Sequence, residues 1–451
     1  MEKKTLGRRS FLRFCAGAAS AAFVASCAPK PAPESASEPA APVKKTEAPA
    51  PAKTAIDLKV MVWTIADRMW METAAEEFGD QNGDVNIIVD KVPYGDALKK
   101  TMTGLATGSL QDVFYAPVRW GKYLAYKGTC LWLDDYVKTK DPSLDDYYEW
   151  AIDGASFEGK LYGLPHEMNP GAYACCYYNK DLLAEAGVPE PTPDWTVEDF
   201  PEMAAKVQDR DKKIYGTTWI PGRFYAYSSL ARSFGGRLIT KDGKKWTFST
   251  DPKSVEAARW VYDLRNKWDA GADREEMEGL SFTAGRVGFN ISNIQSSGSV
   301  ITGVGDKFDL GITLAPSGKT GLHGYYAFVN NMCVYGKTKH AQEAYDCVMH
   351  MTSPEVAMNA FVEQTHPSGR KSVWAAADEK GAHPIWKMVG DWMATEKAEG
   401  DMPMPYNLRF EEVVDKWSNV HHKLWYGDVS FQEGVDLIQR ECATIVDLPR
   451  D

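Results

Sequence analysis

Leu58–Trp63 is an apolar run without breakers, the pattern of a buried strand. Asp67–Phe78 then places Met69, Trp70, Thr73, Ala74 and Phe78 at helical spacing and stops at Gly79. Val85–Val92 reads as a second strand, and Asp96–Ala106 as a second helix ended by Thr107-Gly108. Asp112–Tyr115 and Val118–Tyr126 repeat the unit. Strand and helix alternating at this interval predict a parallel sheet covered by helices on both faces. The pattern resumes with strand Gly171–Tyr178, helices Lys180–Ala186 and Val197–Gln208, strand Ile214–Trp219 and helix Arg223–Ser233. Beyond Asp251 helices dominate, with strands expected at Val287–Ile291, Asp309–Thr313 and Tyr325–Val334. From Pro384 the chain reads as helical, with indoles at Trp386, Trp392, Trp417 and Trp425, and there is no internal repeat. The globular part is about 400 residues, enough for two α/β lobes.

The first 55 residues break this pattern. Arg8-Arg9-Ser10-Phe11-Leu12-Arg13 precedes a short apolar stretch, and Val24-Ala25-Ser26-Cys27 closes it. Basic, apolar and small residues in that order are the grammar of a secretory signal over residues 1–26. The paired arginines resemble a twin-arginine export signal and the last four residues a bacterial lipobox. That resemblance implies cleavage before Cys27 and a lipid on its thiol. Residues 28–55 are mostly Ala, Pro, Lys, Glu, Ser and Thr without an aromatic, too little apolar surface to order, so they read as a spacer. The expected location is the outer face of the cytoplasmic membrane, or the periplasm, held by the anchor alone. No later stretch reaches the ~18 apolar residues of a membrane helix.

Charge and cysteines narrow the classes further. The chain carries a net −11, and loss of residues 1–26 leaves 46 basic against 61 acidic side chains, or −15. That balance argues against nucleic acid as a partner. Cys130, Cys175, Cys176, Cys333, Cys347 and Cys442 show no CxxC spacing and no accompanying histidine cluster, which disfavours structural zinc; no metal or other cofactor is expected. Export in the folded state favours buried free thiols over disulfides. Cys175-Cys176 sits in an apolar run that reads as a central strand.

Family resemblance begins at Glu158-Gly159-Lys160-Leu161-Tyr162-Gly163-Leu164-Pro165 and continues through Tyr178-Asn179-Lys180-Asp181-Leu182-Leu183 and Ala186-Gly187-Val188-Pro189. Leu105–Val113, Phe282–Phe289, Ala341–Glu355 and Gly427–Cys442 agree in order and spacing. Together they resemble the maltose-binding-protein-like, sugar-binding group of extracellular solute-binding proteins of ABC importers. The resemblance implies a periplasmic-binding-protein-like type II fold, two α/β lobes joined by crossover strands with ligand held between them. It places crossovers near His166–Pro170, Gly324–Phe328 and Pro367–Lys371. The first lobe is then residues 56–167 with 329–366, and the second 169–323 with 372–451. It also implies a monomer that captures a mono- or oligosaccharide and hands it to permease subunits, without catalysis.

A sugar offers a ring face for stacking and hydroxyls for bidentate hydrogen bonds. Strand-end residues supply both chemistries here. Trp63 follows the first strand, and Asp67 and Arg68 match acidic and basic contact positions of the maltose-binding relatives. Tyr115 and Arg119 match an aromatic and an arginine contact, with Trp120 beside them, although Val118 stands where the relatives have an acid. His166 and Glu167 sit at the first crossover. Trp219 aligns with an indole contact, followed by Arg223; Asn290 and Asn293 flank a strand end. Ile294 replaces the relatives' next tryptophan, for which Tyr325 or Tyr326 would substitute, and Arg370 would close the cleft as a charge clamp. Trp70, Trp132, Trp260 and Trp386 read as core, Asp112 as a structural residue and Glu411-Glu412 as a solvated face. Two other readings stay open. One is a glycoside hydrolase using Asp67 and Glu167 as its carboxylates; the other is the same receptor for a phosphorylated or acidic sugar, which the arginines would suit.

Overall fold

A computed structural model describes residues 55–64, 69–169, 175–218, 223–319, 321–324, 326–364, 366–377, 379–381, 383–395 and 407–446. Cys27 and the signal and spacer segments lie outside them. The first three strand–helix units form as the hydrophobic pattern demands. Strand β1 (Ile56–Thr64) leads to α1 (Trp70–Gln81), β2 (Val85–Pro93) to α2 (Tyr94–Thr107), and β3 (Val113–Pro117) to α3 (Val118–Tyr126). Gly108 ends α2 in the left-handed conformation at φ 68°, where a Cβ would be strained.

Strand β4 (Leu164–Asn169) completes the first sheet, and β5 (Cys175–Asn179), β6 (Tyr215–Thr217), β7 (Val287–Ser292) and β8 (Leu310–Leu314) form a second. Helices α4 (Phe224–Ser233) and α5 (Pro252–Asn266) lie between β6 and β7. Asp251 starts α5 by accepting from the backbone N–H groups of Lys253 (2.9 Å) and Ser254 (3.4 Å), with Pro252 at the first turn. Strand β9 (Phe328–Val334) then returns to the first sheet, followed by α6 (Ala341–Met351), α7 (Pro354–Gln364), α8 (Phe410–Trp425) and α9 (Phe431–Val446).

The first sheet has the order β2-β1-β3-β9-β4 and the second β8-β5-β7-β6. The first three strands are parallel as expected, but neither sheet is parallel throughout. β1 runs parallel to β2 and β3, but β9 is antiparallel to both β3 and β4. In the second sheet only β6 and β7 are parallel. The cause is connectivity: β9 arrives from the other sheet rather than through a same-sheet helical crossover, so nothing obliges it to run parallel. Cys175 and Cys176 do lie on an interior strand.

Alternation along β1 and β3 sends residues to two cores. Leu58, Val60, Val62, Val113 and Tyr115 face one with α1 and α6; Met61, Phe114 and Ala116 face the other with Trp120 and Leu124 of α3. The second sheet packs into one aromatic-rich core with Phe224, Tyr227, Trp246, Trp386, Trp417 and Trp425. The expected core role of Trp70 and Trp386 holds, both being buried.

The chain passes between the sheets from Asn169 to Cys175 and back from Leu314 to Phe328. A third passage follows α7. There the backbone N–H of Met168 donates to Pro367 (2.8 Å) and that of Tyr148 to Gly369 (3.0 Å). Beyond it, Val373 and Ala377 join the second core. The six described cysteines are buried free thiols. Asp112 is structural, its carboxylate accepting from the Lys59 backbone (3.0 Å) and the Thr338 hydroxyl (2.5 Å).

Candidate functional site

The carboxyl ends of β1, β2 and β3 gather a chain of rings. Trp63 from β1 lies 5.6 Å from both Tyr94, which opens α2, and Tyr115 on β3. Tyr94 continues to Trp120 on α3 at 6.0 Å, and Tyr115 to His166 on β4 at 5.4 Å. His166 meets the edge of Trp70 at 4.6 Å, and His366 touches Trp63 and Trp70 at 5.9 and 5.7 Å. This is the position where open α/β sheets present ligand sites.

The cluster has an unusual balance of burial and bonding. Trp63 Nε1, Tyr115 Oη, Trp120 Nε1 and both ring nitrogens of His166 are buried, yet none has a hydrogen-bond partner among the described residues. Buried polar atoms are ordinarily bonded, and each orphan costs about 1–3 kcal/mol. Two indole donors, a hydroxyl and an imidazole, groups able to hydrogen-bond hydroxyls, are concentrated in this one ring cluster. Burial pushes the His166 imidazole down to about 3, outweighing the Glu167 charge beside it, so the ring is neutral near pH 7 and one of its nitrogens accepts. Burial likewise raises the Tyr115 phenol, and the Glu167 charge adds to that, so it remains a donor.

Glu167, the next residue on β4, is the counterexample. Its Oε1 accepts from His366 Nδ1 at 2.9 Å and from Gln295 Nε2, while Oε2 accepts from Asn330 Nδ2 at 2.9 Å. Burial alone would push the carboxyl up, but the His366 charge and hydrogen bond, with His166 and Asn330, bring it down to about 2. The carboxylate therefore ties β4 and β9 of the first sheet to the third passage and to the turn Ile294–Ser296 after β7. Glu167, expected as a ligand contact, already has both oxygens bonded to protein donors.

Arg119 crosses from the first sheet's side to the second core. Its Nε donates to Glu411 Oε1 at 2.6 Å and its Nη2 to Oε2 at 2.5 Å, a bidentate pair with α8. The guanidinium lies 5.8 Å from Trp120 and 5.4 Å from Tyr225 on α4. Glu411 is thus not the solvated residue expected from sequence. Burial raises its carboxyl more than Arg119 lowers it. Burial also opposes the Arg119 charge, but Tyr225, Tyr94 and Glu411 outweigh it and hold the guanidinium protonated.

The remaining expectations divide three ways. Asp67, Arg68, Trp219 and Tyr325 lie outside the described residues. Arg223 is exposed at the start of α4, Asn290 sits on β7 with its Oδ1 accepting from the Thr218 hydroxyl at 3.3 Å, and the Asn293 carbonyl accepts from Tyr177 at 2.8 Å. Two are corrected. Tyr326 is buried in the second core with Arg232 stacked 5.0 Å from its ring, so it does not stand in for a cleft indole. Arg370 is no free clamp: it is 1% exposed, donates to Thr352 O (2.8 Å), Pro142 O (3.0 Å) and Asp146 Oδ2 (3.2 Å), and stacks 4.1 Å from Tyr147. The third passage spends its charge on holding itself to residues 142–148.

Sequence reasoning missed Tyr94, Tyr225, Gln295, Asn330, His366 and Glu411. Tyr94 was legible, because it follows the Val92-Pro93 strand end as Trp63 and Tyr115 end theirs. The others depend on contacts between residues 100 or more apart, which no local pattern signals. Among the described residues no group of His, Cys, Asp or Glu could hold a metal, and no helix is long and apolar enough to cross a membrane.

A family model described as bacterial extracellular solute-binding protein matches residues 73–384. A Brucella abortus protein named only as a binding protein is 25% identical over 287 residues, 61% of this chain and 66% of its own length. The diacetylchitobiose-binding protein DasA of Streptomyces coelicolor is 24% identical over 269 residues, 56% of this chain and 61% of its own. The chain thus spans just under two thirds of these relatives' length. In fold it is similar to an ABC substrate-binding protein of Listeria monocytogenes solved with cycloalternan, at a TM-score of 0.75 and 19% identity over 86% of this chain and 98% of that one. The architecture is that of the type II periplasmic-binding proteins, with mixed α/β sheets.

Proposed function

The chain belongs to the bacterial extracellular solute-binding proteins, and from that premise we propose that it is the carbohydrate receptor of an ABC importer. The observation that carries this reading is the ring cluster whose indole, phenol and imidazole atoms are buried and unbonded. Sugar hydroxyls satisfy such atoms while a pyranose face stacks on the rings. The cargo of similar proteins, diacetylchitobiose and cycloalternan, is of the same chemistry. The working lobes are residues 56–167 with 329–366 and residues 169–323 with 372–451. Ligand contacts to both favour the closed form, which the permease reads. Asp67, Arg68, Trp219 and Tyr325 would complete the contact set. Lipidated Cys27 and the spacer of residues 28–55 tether the receptor outside the cytoplasm.

Hydrolysis is the weaker reading. Glu167, half of the carboxylate pair named for that reading, is held ionised by protein donors and is neither a proton donor at neutral pH nor an open nucleophile. A melting-shift screen against neutral mono- and oligosaccharides tests the function. Saturable stabilisation with the sugar recovered intact is expected; released reducing ends would overturn it. Trp219→Ala should weaken binding by about 1–3 kcal/mol while the protein stays folded.

A further inference from the structure

The rings of the first sheet end at an ion pair that the sugar reading does not use. Arg119 lies on α3, packed on the first sheet, whereas Glu411 lies near the start of α8, whose Val413, Trp417 and Leu424 fill the second core. Their side chains are only 20% and 25% exposed, and the fork-to-fork geometry fixes angle as well as distance. Tyr225 adds a third element: its ring stands 5.4 Å from the guanidinium, 4.8 Å from Phe328 and 6.0 Å from Phe410, the residue before Glu411. Trp120 supports the guanidinium from its own side at 5.8 Å. A planar cation held between ring faces and a bidentate carboxylate has little freedom to re-pair as the helices move apart.

We propose that Arg119 and Glu411 form a latch across the cleft that biases the receptor toward its closed form before cargo arrives, with Glu411 positioning Arg119. A half-buried bidentate pair is screened by salt less than a surface pair and is lost entirely when α3 and α8 separate, so it acts on the closed form alone. A receptor whose binding-competent form is already populated loses less affinity to the closing step. The latch also explains why Arg119 is no open site for an anion: its Nε and Nη2 are bound by Glu411.

The latch rests on the two-lobe reading and not on the cargo. Small-angle scattering of the unliganded full chain, with Cys27→Ser to remove the lipid, tests it without any sugar. Glu411→Gln should enlarge the radius of gyration beyond measurement error at unchanged melting temperature. Sodium chloride from 0.05 to 1 M, a fall of about 4.5-fold in screening length, should open the wild type partly and leave the variant unmoved. The exchange Arg119→Glu with Glu411→Arg should restore the compact curve. Scattering identical for wild type and Glu411→Gln overturns the latch, as does an exchange variant that stays open, which would credit packing instead of charge. A sugar screen with no hit would sink the function proposed above and leave these scattering outcomes intact.

Discussion

Two sets of buried polar groups meet at the adjacent residues His166 and Glu167, and they are opposite in character. Glu167 and Arg370 have their charges met by protein: three donors around the carboxylate, three acceptors and a ring around the guanidinium. Trp63 Nε1, Tyr115 Oη, Trp120 Nε1 and the His166 ring nitrogens are also buried and have no hydrogen-bond partner among the described residues. Saturation marks the groups that hold the passages between sheets, since a buried charge is stable only when fully bonded. Under the proposed function, the deficit within the ring cluster is what a guest's hydroxyls would meet; unbonded atoms elsewhere, such as Trp246 Nε1 in the second core, have no such role. Residue type does not separate the sets, because His166 and Glu167 are adjacent on one strand. Only their surroundings do.

That contrast breaks first at Arg370. Arg370→Ala removes a buried side chain with three acceptors and a ring contact, leaving Asp146 to Ser372 alone, and should cost about 3–5 kcal/mol, read as a large fall in melting temperature, with no specific loss of ligand affinity in whatever fraction folds. A normal melt would show the passage to be held otherwise.

The pH dependence sharpens the contrast from both sides. Glu167 has a depressed folded value, so its contribution is complete above the ordinary carboxyl range near 4.5 and disappears as pH falls toward about 2. His166 must be neutral when folded, so its cost grows as pH falls from 6.5 toward about 3. Stability should therefore decline in two stages on acidification, by a few kcal/mol in all. Glu167→Gln should make the decline below pH 4.5 shallower, leaving the His166 part, and change the stage above it less; thermal melts at pH 7, 5 and 3 decide.

Smaller effects are expected where the groups are unbonded. Tyr115→Phe removes an orphan hydroxyl, so the melt should stay within about 1 kcal/mol of wild type while sugar binding weakens by about 0.5–1.5 kcal/mol. Equal losses in both would place the hydroxyl among the structural groups. Smallest of all, Arg223→Ala on its exposed helix start should change stability by less than about 0.5 kcal/mol.

Hydrophobic order alone determined the strand–helix alternation, because each buried strand and amphipathic helix writes its period into neighbouring residues. Leu58–Trp63, Val85–Val92 and Val118–Tyr126 are found within two or three residues of expectation or on it. The same rule put Trp63 and Tyr115 toward the ends of their strands and Trp120 on the helix that follows, and their rings join one cluster. Tertiary structure decided the rest. That β9 runs antiparallel, that Arg119 is closed by a carboxylate 292 positions away, and that Arg370 is an anchor are facts about distant segments meeting. Long-range partners leave no local period, so a charged residue looks the same in sequence whether the fold has bonded it or left it open.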